Sequence, residues 1–112
     1  MKRIFISGPY TKGDVAINVK RAMDIANDLI NLGYAPYCAH LTHFLHMNNP
    51  QSYETWLKID SKFLEVSDAI IRLPGISEGA DREVELAKKL HIPIFYSLEE
   101  LKKAMKAGKV SH

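Results

Sequence analysis

Short apolar runs rich in β-branched residues alternate with amphipathic stretches several turns long, and this alternation constrains the fold more than any other feature of the chain. Ile4-Phe5-Ile6 is closed by Gly8-Pro9 and reads as a first strand. Val15–Leu32 carries Val15, Val19, Ala22, Ala26, Leu29 and Ile30 on one face and stops at Gly33, which predicts a helix with glycine at its C′ position. Tyr34–Ala39 is a second strand. His40–Gln51 reads as irregular, with Asn48-Asn49-Pro50 as a breaker. Ser52–Val66 predicts a helix, Ala69–Leu73 a third strand, and Pro74–Gly79 its exit loop. Ala80–Leu90 is a further helix, Ile92–Tyr96 a fourth strand, and Leu98–Ala107 a last helix closed by Gly108. Strands separated by helices of this length need right-handed crossovers. The expected class is therefore α/β, a short parallel sheet covered on both faces. The 112 residues fit one domain, 1–112.

Two acids break the helical pattern. At about 100° per residue, Ala80, Val84, Leu86, Ala87 and Leu90 share a sector, and Glu83 falls inside it. In Ser52–Val66 the face bearing Tyr53, Trp56, Phe63 and Leu64 carries Asp60 at its middle. A carboxylate at the edge of a core is costly unless partners or a polar cavity receive it. Paired carboxylates in a partly dry cleft can divide into one ionised and one protonated group. A structural role is the alternative for each: Asp60 accepting from a backbone amide, an indole or a phenol, and Glu83 sitting favourably in an early helical turn.

In a parallel sheet, ligands bind outside the carboxyl ends of the strands. Ser7–Asp14, His40–Gln51 and Pro74–Gly79 meet there. The last loop, with Gly75, Ser77 and Gly79, leads into a helix N-terminus, where free N–H groups favour a phosphate or carboxylate. The first, Ser7-Gly8-Pro9-Tyr10-Thr11-Lys12-Gly13, offers the same, and Tyr10 can stack on a base or cover a sugar. Neither matches a dinucleotide or Walker pattern, so no cofactor is expected, and both can equally be ordinary strand-to-helix turns. His40, His43 and His46 recur every third residue without a supporting acid or an HExxH pattern. The segment reads as a loop lying over a ligand, with His43 or His40 as polar contacts, and no metal is expected.

Composition closes off other classes. Fifteen basic against thirteen acidic residues leave a formal charge of +2. The basic tail Lys102, Lys103, Lys106, Lys109 reads as the solvated face of a helix, so a nucleic-acid polymer is not an expected partner. The single cysteine, Cys38, lies in an apolar stretch and reads as a buried thiol. No run is long enough to span a bilayer and no signal peptide is visible, so a cytoplasmic location is expected.

Four motifs together resemble the nucleoside 2-deoxyribosyltransferase superfamily, which includes nucleoside 5′-monophosphate N-glycosidases. They are Ser7-Gly8-Pro9-Tyr10-Thr11 after the first strand; Pro36 to His43; Trp56-x-x-x-Asp60 followed by Ser67-Asp68-Ala69; and Ser77-x-Gly79-x-x-x-Glu83-x-x-x-Ala87. The resemblance runs from about Ile4 to Tyr96 and implies a flavodoxin-like three-layer sandwich, a homodimer or higher homo-oligomer, and a nucleoside or nucleotide substrate. It implies Glu83 as nucleophile, Asp60 orienting the sugar or assisting protonation, and Tyr10 positioning substrate or nucleophile. Ser77 would contact the 5′-phosphate, with Ser7, Gly8, Pro9, Thr11, His43, Gly75 and Gly79 around the substrate. The first loop differs in lacking the arginine of several monophosphate hydrolases, and Lys12 is its nearest cation. The implied reaction is cleavage of an N-glycosidic bond through a sugar ester on Glu83, resolved by water or by a second base. The rival readings are a non-catalytic nucleotide-binding or sensing domain, and a phosphoribohydrolase like the cytokinin-activating enzymes.

Overall fold

The structure, a computed structural model, describes residues 1–106 and 108. Its four strands are β1 (Arg3–Ser7), β2 (Ala35–Cys38), β3 (Ala69–Arg72) and β4 (Ile94–Phe95). They form one parallel sheet in the order β2-β1-β3-β4. The helices are α1 (Val15–Asn31), α2 (Thr42–Asn48), α3 (Tyr53–Leu64), α4 (Glu78–Lys89) and α5 (Leu98–Lys106), with a 3₁₀ turn at Ala39–Leu41. The expected Ala107 end of α5, and Lys109 in the basic tail, lie outside the described residues. No helix among the described residues is long and apolar enough to cross a membrane.

Strand periodicity builds the layers. Ile4, Ile6 and Ile71 point to one side and pack with Ala22 and Leu29 of α1 and Leu101 of α5. Phe5 and Ile70 point to the other and pack with Leu64 of α3 and Ala87 of α4. The result is a parallel sheet covered on both faces, as the alternation of elements predicts, and a flavodoxin-like three-layer sandwich, as the resemblance implies. Burial of these uninterrupted apolar strands contributes about 1.5–3 kcal/mol per large side chain.

Two expectations need correction. The segment after β2 is helical over much of its length: the 3₁₀ turn runs into α2, which ends at Asn48, and Asn49 is extended ahead of Pro50. Its seven residues have no capping side chain and no buried residue, so no apolar stripe marked it as helix. Helix α4 begins at Glu78, because the Ser77 hydroxyl accepts the Ala80 N–H at 3.1 Å. Gly79 therefore lies in the first turn, and Leu90, expected on the apolar face, is exposed at the C-cap.

The strand order reverses between β1 and β3. The loops leaving these two strands pack together closely enough to demand glycine. A Cβ on Gly8 would stand 2.8 Å from Leu73 Cβ, and one on Gly75, at φ +119°, would stand 2.7 Å from Pro9 Cγ. This contact holds the mouth of the sheet in one shape.

Candidate active site

At that reversal lies a cavity of about 330 Å³, in the range of small-molecule sites. Glu83 and Asp60 both line it. Helix α4 carries Glu83 in its second turn, on the side facing the sheet. Residues two apart on a strand share a face, so Ser7 follows Phe5 onto the face that α4 covers. Ser7 is fully buried, and its hydroxyl donates to Glu83 Oε1 at 2.6 Å. Although Glu83 as a whole is half-buried, its carboxyl is deeply enclosed. Desolvation pushes that carboxyl up to about 8, assisted by the nearby Asp60 charge and opposed by the Ser7 hydrogen bond and by Arg72.

Asp60 is 7% exposed, and α3 presents it from the neighbouring side. Burial raises it to about 6, and a hydrogen bond donated by the Tyr37 hydroxyl to Oδ1 at 3.1 Å opposes the rise. Tyr37 pairs with Phe5 in the parallel register of β2 on β1. Its ring stacks on Phe5 at 5.3 Å and on Phe63 at 4.5 Å, which fixes the direction of the hydroxyl. Burial and the neighbouring Asp60 raise the phenol well above its ordinary value, so it remains a donor. The phenol partner foreseen for Asp60 thus exists, yet Asp60 still faces the cavity.

The loops are tied down by buried polar groups. Asn18, on α1, donates from Nδ2 to the Tyr10 carbonyl at 3.0 Å and to the Lys12 carbonyl at 2.8 Å, and so shapes the loop after β1. Arg72 follows Ile70 on the α4 side of the sheet. It donates to the Leu73 carbonyl, to the Gly75 carbonyl at 2.9 Å and to Asp81 Oδ1 at 3.0 Å. One guanidinium thereby fixes the loop before α4 and the first turn of α4. At the surface, Arg82 forms a two-pronged pair with Glu54 of α3, at 3.0 and 3.3 Å, which links the two acid-bearing helices.

Gly8, Tyr10, Thr11, Ser77 and Gly79 line the cavity, as does Lys12. Ser7, Pro9, His43 and Gly75 are not among the lining residues. Ser7 holds Glu83, Pro9 packs under Gly75, and Gly75 carries the carbonyl that Arg72 binds. His43 Nδ1 sits 2.6 Å from the Tyr10 hydroxyl and so acts on the cavity through Tyr10. His40 does line the cavity, and its Nε2 hydrogen-bonds the Pro9 carbonyl at 2.9 Å. Burial lowers its basicity, and Nε2 is the donor because a carbonyl oxygen only accepts. The three histidines face three different partners. Among the described residues no three His, Cys, Asp or Glu side chains group to hold a metal ion.

Sequence reading passed over Tyr37, Asn18, Arg72 and His46 as site residues. Arg72 carried a usable signal, a cation in an otherwise apolar strand. Asn18 carried one as well, an amide in the apolar sector of its helix beside Leu29.

Residues 2–97 match a family described as Domain of unknown function (DUF7768). No curated protein matches the sequence. Among solved structures the chain is similar to that of a 2-deoxyribosyltransferase from the psychrotolerant bacterium Bacillus psychrosaccharolyticus, with a TM-score of 0.58 and 18% identity over 82% of this chain and 69% of that one. The likeness is one of fold.

Proposed function

The chain belongs to that family of unknown function, and from the geometry of its cavity we propose that it cleaves the N-glycosidic bond of a nucleoside or nucleoside 5′-monophosphate, with hydrolysis or base transfer as outcome. The observation that carries this reading is the Glu83 carboxyl, gripped by Ser7 and sharing one cavity with Asp60. An ionised Glu83 oxygen attacks C1′. The C1′–N bond breaks, its electron pair leaves with the base, and a protonated Asp60 supplies the proton. Water or a second base then attacks C1′, Asp60 takes up the proton, and Glu83 is released.

The one-proton state of the pair fits this sequence. With Asp60 near 6 and Glu83 near 8, the pair holds one proton at neutral pH. The positive charge developing on the sugar favours the form in which Glu83 is ionised and the proton sits on Asp60. The Ser77 hydroxyl accepts from Ala80 and keeps its own proton to donate to a 5′-phosphate, beside the amides of the first turn of α4, with Lys12 lining the same cavity.

A second reading, a non-catalytic nucleotide-binding domain, is favoured by the burial that raises the Glu83 carboxyl, since a carboxyl is no nucleophile until it ionises. Both are tested by incubating the protein with a panel of nucleosides and nucleotides and measuring free base. The enzyme reading expects release by the wild type and loss of at least a hundredfold in Glu83→Ala. No release by the wild type, or equal release by both proteins, overturns it, and binding without turnover establishes the second reading.

A further inference from the structure

The tautomer of His46 is set by its two neighbours. Its Nδ1 accepts from the Trp56 indole N–H at 2.9 Å and from the Gln51 backbone N–H at 3.2 Å. Both partners can only donate, so Nδ1 carries no proton and the neutral ring carries its proton on Nε2. The Trp56 ring meets the imidazole edge-on, with centroids 6.0 Å apart at 69°, so the orientation is held by packing as well. Among the described residues Nε2 has no partner. His46, Trp56 and Gln51 all line the cavity.

We propose that His46 is a specificity-determining residue that reads the nucleobase, its Nε2–H donating to an acceptor on the base edge. The inference rests on the proposed function and deepens it. An indole wall suits a planar ring. A donor that cannot switch to an acceptor selects edges bearing a carbonyl oxygen or an unprotonated ring nitrogen. An edge bearing only an amino group at that point would leave two donors opposed and unpaired.

The test is titration calorimetry on the full chain carrying Glu83→Gln, which prevents turnover. The ligands are inosine 5′-monophosphate and ribose 5-phosphate. His46→Phe keeps the ring shape and removes the donor; His46→Gln keeps a donor at similar reach. Thermal melts of each variant establish that it is folded. The expected result is inosine monophosphate bound roughly tenfold more weakly by His46→Phe. The His46→Gln loss should be smaller, and ribose 5-phosphate should bind equally well throughout. Equal affinity of the parent and His46→Phe for the nucleotide overturns the inference, as does equal weakening of both ligands. If the wild type releases base and His46→Phe binds the nucleotide normally, this inference alone fails. If the parent binds neither ligand, the proposed function fails with it.

Discussion

Glu83 and Asp60 were legible in the sequence because a charge in an apolar helical sector must be accounted for, and desolvation is the account. What gives each acid its character was not legible. Ser7 and Tyr37 reach them only because β1, β2, α3 and α4 come together, which depends on pairings distant in sequence. These contacts yield two predictions. First, kcat/KM should follow a bell with limbs near the values of Asp60, about 6, and Glu83, about 8. Below the acid limb both groups hold protons; above the alkaline limb neither does. Second, Tyr37→Phe removes a hydrogen bond that stabilises the Asp60 carboxylate. It should move the acid limb upward by about one unit, whereas a merely structural defect would lower the rate at all pH values alike. A pH–rate series on both proteins distinguishes these outcomes.

At the scale of elements, strands, long helices and stops followed from apolar periodicity and glycine. Helix α2 did not, because it is held by side-chain contacts of His43 and His46 and not by a stripe of its own. The tight packing of the loops after β1 and β3 was equally hidden, since Gly8 and Gly75 look like ordinary turn residues until the strands are paired. Gly75→Ala would force Cβ into Pro9 at a backbone angle suited to glycine. It should lower stability by about 1–3 kcal/mol and cut turnover more than it raises KM, as read by denaturant titration and steady-state kinetics. His91 presents the opposite case, a non-glycine residue at φ 57° just after α4. His91→Gly should raise stability by up to about 1 kcal/mol, a few degrees in melting temperature, without altering the site.

For the molecule as a whole, the site works against the fold. Folding raises the Glu83 carboxyl from its ordinary 4.5 to about 8, so the folded chain holds a proton that the unfolded chain releases between those pH values. The Glu83 contribution to stability is therefore full below about 4.5, falls as pH rises toward 8, and levels off beyond; Asp60 adds a change of the same sign between 3.8 and about 6. Glu83→Gln has no such proton to lose. Above pH 8 it should be more stable than the wild type by a few kcal/mol in order of magnitude while inactive, and the two should converge near pH 4.5, as thermal melts across pH will read. The placement of a cavity at the sheet reversal was foreseeable from the alternation of strands and helices. Its walls were foreseeable only in part, since Asn18 and Arg72 act through carbonyls that the folded loops bring to them.

The account stands or falls on whether the Glu83 oxygen bonds to a sugar carbon. A nucleoside bearing fluorine at C2′ slows breakdown of a glycosyl ester by disfavouring the cationic transition state. Peptide mass spectrometry after such treatment should find one glycosyl group on Glu83 in the wild type and none in Glu83→Gln. Release of base from ordinary substrate with no label on Glu83, or with label on another residue, would contradict the account.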